Sequence, residues 1–173
     1  MRVISDIEEM RHACQTAQRP LGLVPTMGYL HAGHMALVAA ARKANPTVAV
    51  TIFVNPTQFA PTEDLASYPR DLERDLSMLR EAHADLVFTP RTEDIYPPDF
   101  DTWVDMGKMG QLLEGKFRPG HFRGVATVVT KLFNITRPDR AYFGQKDGQQ
   151  SRIIRKLVKD LNMGIEIVVV PTV

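Results

Sequence analysis

The sequence predicts an α/β fold, a Rossmann-like parallel sheet with helices on both faces. Three observations predict it: short apolar runs rich in Val and Ile, amphipathic stretches between them, and polar, often glycine-bearing segments directly after several of the runs. Apolar runs without polar alternation suit strands covered on both sides, and a parallel strand needs a long crossover to its neighbour, usually a helix.

Taken in order, Ser5 with Glu8 has the form of a capping box, and Ile7, Met10 and Cys14 then recur at helical spacing until Arg19-Pro20 stops the pattern. Leu21 to Val24 is an apolar run ended by Pro25, and Val48 to Val54 is a β-branched run ended by Asn55-Pro56; both read as buried parallel strands. Between them the spacing predicts a helix over 33–44, closing with Arg42-Lys43 before Asn45-Pro46. Leu72, Leu76 and Leu79 mark another helix before the strand-like Leu86-Val87-Phe88. Val125, Val128, Val129, Leu132 and Phe133 mark one more before Ala141-Tyr142-Phe143. A last helix carries Ile153, Ile154, Leu157 and Leu161, stops at Asn162 and Gly164, and precedes the apolar strand Ile165 to Val170. The stretch 89–119 is irregular and reads as a lid, a small excursion or an oligomer contact.

The bulk numbers narrow the function. The chain has 173 residues, 44% hydrophobic and 24% charged, enough for one well-buried core. Net charge is +1 with acidic and basic residues interleaved, which argues against a nucleic-acid partner. The single cysteine, Cys14, can form neither an internal disulfide nor a cysteine-rich metal cluster. No apolar run approaches the roughly 20 residues that span a bilayer, and Met1 to Asp6 lacks the apolar core of a signal peptide. The expectation is a soluble cytoplasmic protein with no membrane partner.

The strongest motif runs from Pro25 through Met27-Gly28-Tyr29-Leu30-His31-Ala32-Gly33-His34, where a strand gives way to a helix. Two imidazoles at i and i+3 share the first helical turn with backbone N–H groups and the positive end of the helix dipole, a corner suited to a triphosphate. Gly33 lacks a Cβ, so a flat base or a ribose can approach the backbone there. His-x-x-His also fits half a zinc site, but no further ligands cluster nearby. A second motif, Gly144-Gln145-Lys146-Asp147-Gly148-Gln149-Gln150, again follows a strand and brings an ammonium group toward phosphate. Neither a Walker loop nor Gly-x-Gly-x-x-Gly is present. A third, Asn55-Pro56-Thr57-Gln58-Phe59, offers neutral amides to a small hydroxy acid. Segments that follow parallel strands converge on one sheet edge, so the three sets are expected to form one site.

These motifs, with Tyr68-Pro69-Arg70 and His121-Phe122-Arg123-Gly124-Val125, resemble the pantothenate synthetase family in collinear order over nearly the whole chain. The family belongs to the His-x-Gly-His nucleotidyltransferase superfamily. The resemblance implies a nucleotide- and pantoate-binding domain over 1–173, with the family's C-terminal lid domain absent. It also implies an ATP-dependent ligase that makes pantoyl adenylate and pyrophosphate, then joins the pantoyl group to β-alanine with release of AMP. Carried over, Met27 to His34, Gly144 to Asp147 and Val173 would hold ATP, with His34 as proton donor and His31 and Lys146 steadying phosphate charge. Gln58 and Gln150 would hold pantoate, Gln58 would also meet β-alanine, and Asp75 would face Mg²⁺. A homodimer is implied as well. Two alternatives stand beside this reading: a small adenylyltransferase acting on a phosphorylated acceptor, and a nucleotide-binding module without turnover.

Overall fold

The computed structural model describes residues 1–171. Val173, one of the residues expected at ATP, lies outside the described residues.

Among the described residues six strands form one sheet: β1 (Arg2–Ile4), β2 (Leu21–Thr26), β3 (Thr47–Ile52), β4 (Leu86–Phe88), β5 (Arg140–Gly144) and β6 (Glu166–Val170). All neighbouring pairs run parallel, in the order β1-β4-β3-β2-β5-β6. The major helices are α1 (Ile7–Thr16), α2 (Ala32–Ala44) and α3 (Leu72–Glu81). Two single-turn helices, α4 (Thr92–Ile95) and α5 (Glu114–Phe117), precede the long α6 (His121–Thr136) and α7 (Gly148–Asp160).

The helices cover both faces, as the apolar strands require. Met10 and Cys14 of α1, Val125, Val129 and Phe133 of α6, and Ile153, Ile154 and Leu157 of α7 belong to one core. Leu37, Val38 and Ala41 of α2 and Leu79 of α3 belong to the other. From β2 the chain steps outward through β3 to β4, then returns through α6 to lay β5 on the opposite side of β2. The crevice at such a reversal, outside the carboxyl ends of the strands, is where open α/β sheets bind ligands.

Three details differ from the sequence reading. Asp6 rather than Ser5 caps α1, its Oδ1 accepting from the Glu9 N–H at 2.8 Å, while the Ser5 hydroxyl lies 3.2 Å from that of Thr89. Residues 2–4 form a short edge strand, because pairing with β4 gives backbone groups their partners where three residues are too few to show a period. The stretch 89–119 is no free excursion along its whole length: Ile95 is fully buried, and Tyr96, Val104, Met106 and Met109 pack against the larger core.

Candidate active site

A cavity of about 630 Å³ opens at the reversal between β2 and β5. Met27 and His34 line it from the β2 side, Gln58 from the β3 side, and Gly144, Asp147 and Gln150 from the β5 side. Residues from all three predicted motifs are therefore together. Lys146 is exposed on the turn between Gly144 and Asp147, at the rim, as is Gln145. Leu30 is 1% exposed and belongs to the α2 core, so its side chain does not face a ligand.

His31 is the N-cap of α2, and the two imidazoles cap the helix reciprocally. Nδ1 of His31 accepts from the Gly33 N–H at 3.1 Å, and Nδ1 of His34 accepts from the His31 N–H at 3.3 Å. The rings lie 4.1 Å apart between centroids. This arrangement modifies the expectation of free N–H groups at the corner, since two of them already have imidazole partners. It also fixes the chemistry of the rings, because an accepting Nδ1 leaves the proton of a neutral ring on Nε2. Burial, and next the neighbouring His31, hold the His34 pKa below its ordinary value of 6.5, with Asp75 and Asp147 opposing. At neutral pH, His34 therefore enters the cavity as an uncharged N–H donor. Gly33 matters first for His31: a Cβ there would meet the His31 Cε1 at 2.9 Å, so the missing side chain makes room for the cap.

Asp75 is not disposed as the magnesium ligand expected of it. Its side chain is 2% exposed, and both oxygens accept backbone N–H groups, Oδ2 from Tyr29 and Oδ1 from Leu30, each at 2.8 Å. A carboxylate turned inward onto two amides is an anchor for the loop. Among the described residues no group of three or more His, Cys, Asp or Glu side chains could hold a metal ion.

The floor near Gln58 is organised by Asn55, which is 1% exposed. Its Nδ2 donates to Gln58 Oε1 at 3.0 Å and to the Gly124 carbonyl at 3.1 Å. Its Oδ1 accepts from the hydroxyls of Thr57 and Tyr96, both at 2.9 Å. The Gln58 amide is thus oriented by a saturated, buried partner. Sequence reasoning assigned no role to several residues that also line the cavity, among them Glu63, Tyr68, Arg118 and His121. Arg118 forms a paired ion contact with Glu63 at 2.8 and 3.0 Å, and the His121 ring nitrogen Nδ1 lies 2.9 Å from the Gln58 carbonyl oxygen. Tyr68 and His121 belong to the Tyr-Pro-Arg and His-Phe-Arg-Gly-Val segments, which carry no chemistry readable in isolation, and Glu63 and Arg118 belong to neither.

The sequence profile of the family described as Pantoate-beta-alanine ligase matches residues 2–173. The chain belongs to that family. A curated pantothenate synthetase of Roseiflexus castenholzii is 60% identical over 173 residues, covering all of this chain and 62% of the relative. The crystal structure of pantothenate synthetase from Thermus thermophilus matches with a TM-score of 0.96 at 53% identity, over all of this chain and 62% of that one. A pantoate-beta-alanine ligase from Francisella tularensis, solved in complex with beta-gamma ATP and beta-alanine, matches with a TM-score of 0.95 at 40% identity, over all of this chain and 67% of that one. The chain thus spans less than two thirds of the curated relatives it matches. Its ligase-family fold is the six-stranded sheet described above.

Proposed function

We propose that this chain is the nucleotide- and pantoate-binding part of an ATP-dependent ligase that joins pantoate to β-alanine through pantoyl adenylate. The observation that carries the reading is the meeting of His34, Gln58, Asp147 and Gln150, from segments that follow three different strands, around one cavity. ATP lies against the His31–His34 corner and the 144–147 turn; pantoate lies deeper, between Gln58 and Gln150.

In the first step a pantoate carboxylate oxygen attacks the α-phosphorus and the bond to pyrophosphate breaks. Negative charge grows on the phosphate oxygens, and fixed donors matched to that charge lower the barrier. His34 supplies a neutral N–H and Lys146 an ammonium group on a flexible stem. In the second step the β-alanine amine attacks the acyl carbon and AMP departs. A bound Mg²⁺ would supply charge neutralisation at the phosphates; such an ion needs only one or two protein carboxylates, and Asp147, on the phosphate-side turn, would be the residue to hold it. The buried walls, Val125, Val129 and Leu132 of α6, keep water from the acyl phosphate. The protein works in the cytoplasm as a homodimer.

Exchange of radiolabelled pyrophosphate into ATP tests the reading on the complete gene product. Exchange should require pantoate and proceed without β-alanine. Exchange indifferent to pantoate would defeat it and favour an adenylyltransferase with another acceptor.

A further inference from the structure

We propose that Asp75 is a positioning residue, a latch by which α3 sets the geometry of the histidine corner. The proposal rests on the reading of that corner as a phosphate site. The segment it holds is conformationally costly: Gly28 has φ 81° and Tyr29 φ 50°, both in the left-handed region, and a side chain at Tyr29 makes that conformation unfavourable without support. The next residues, Leu30 and His31, deliver the cap of α2.

The Gly28 N–H donates to Thr26 Oγ1 at 3.2 Å, and Tyr29 and Leu30 are held from α3. The carboxylate of Asp75 takes the consecutive N–H groups of Tyr29 and Leu30, one on each oxygen, at 2.8 Å. Arg74, the preceding residue, grips the same segment from its other side. Its Nη1 donates to the Leu30 carbonyl at 2.9 Å, and its guanidinium lies 5.6 Å from the centre of the Tyr29 ring. Two adjacent residues of one helix thus bind the N–H groups, carbonyl and side chain of a two-residue turn. Asp75 faces inward near the amino end of α3, where the helix dipole favours a carboxylate.

A negative side chain is at first sight misplaced behind an anion site. Its two oxygens are engaged with amides and Arg74 lies 3.8 Å away, so its charge is directed at the protein backbone. The consequence is a division of labour among the N–H groups of the corner. Those of residues 29 and 30 are held by α3, those of residues 31 and 33 by the imidazoles, and the ring Nε2–H groups are left for the ligand. Asparagine at position 75 offers one acceptor oxygen where two converging donors need two, and it turns an NH₂ toward the second.

The test uses Asp75→Asn, Asp75→Ala and Arg74→Met, each studied well below its melting temperature. Three quantities are measured: ATP and pantoate affinities by calorimetry, amide hydrogen exchange at Tyr29 and Leu30 by NMR, and the ring nitrogen resonances of His31 and His34. Asp75→Asn is expected to speed exchange at those two amides and to weaken ATP by roughly tenfold, the scale of one lost charge-assisted hydrogen bond. Asp75→Ala should do more, Arg74→Met less, and pantoate affinity should stay within about twofold, because residues 58 and 150 lie on other segments, after β3 and β5. A role confined to overall stability would lower the melting temperature and leave the folded protein's ATP affinity and ring resonances unchanged, which would overturn the proposal. Arg74→Met keeps the question decidable if Asp75→Ala does not fold. Failure of the unmutated chain to bind ATP would defeat the nucleotide reading, whereas unchanged exchange and ring resonances in the variants would defeat the latch whatever the chain binds.

Discussion

At the scale of single residues, the site works by committing polar groups to one another before any ligand arrives. Both histidines spend Nδ1 on the backbone, and His34, held below its ordinary pKa by burial, is a neutral donor. His121 is likewise held below its ordinary pKa, by burial first, against the opposing hydrogen bond to Gln58. The sign of the pH dependence follows. A histidine with a folded pKa below 6.5 binds fewer protons when folded than when unfolded, so its contribution to stability is complete above about 6.5 and declines as pH falls below that value. Urea denaturation at pH 7.5 and 5.5 should show lower stability at the acid pH, and His34→Gln with His121→Gln should flatten the difference. Asn55 gives a second prediction. Asn55→Ala leaves the Gln58 side-chain oxygen without its buried donor and the Tyr96 hydroxyl with only its 3.2 Å contact to Thr57 Oγ1, and should cost about 1–3 kcal/mol. Pantoate affinity should fall with it, while Gln58→Ala should reduce that affinity at smaller cost in stability; denaturant midpoints and calorimetry measure both.

At the scale of elements, the decisive contact is between α6 and the 3₁₀ turn Pro56–Gln58. Gly124 lets the helix backbone lie against that turn: a Cβ there would fall 2.5 Å from the Thr57 carbonyl oxygen and 2.8 Å from the Gln58 nitrogen. Both neighbours are backbone and cannot swing aside. Gly124→Ala should therefore push the turn off the helix, costing about 1–3 kcal/mol as overpacking does. It should also weaken pantoate more than ATP, read by denaturant midpoints and paired titrations. The stretch 89–119 gains a role at this scale as well. Tyr96 reaches Asn55 through its hydroxyl while its ring joins Phe100 and Trp103, so an irregular segment buttresses the Asn55–Gln58 side of the cavity.

At the scale of the whole molecule, the reversal of strand order between β2 and β5 makes one crevice from segments more than a hundred residues apart in sequence, His34 on one side and Asp147 on the other. Ligands that bridge those sides should stabilise the fold as a unit. ATP at about 100 times its dissociation constant should add about 2.7 kcal/mol, raising the melting temperature, with a further rise when pantoate is also present. A scanning fluorimetry series with each ligand alone and both together measures this; no shift with ATP would contradict the placement of the nucleotide at this crevice.

The α/β class, five of the six strands and the five longer helices were legible in the sequence because each rests on local patterning, apolar runs for buried strands and helical periodicity for amphipathic faces. The three polar segments were legible as one site because segments following parallel strands must share an edge. Which atoms of those segments face a ligand was not. Asp75 stands in an ordinary acidic helix start, Asn55 opens an ordinary turn, and Tyr96 belongs to no periodic element. Their roles come from partners 45 or 46 residues away for Asp75 and 41 for the Asn55–Tyr96 pair. Local patterning records what a residue buries. It does not record which distant backbone group a buried polar atom must satisfy, and that choice was made only when the sheet closed the distance.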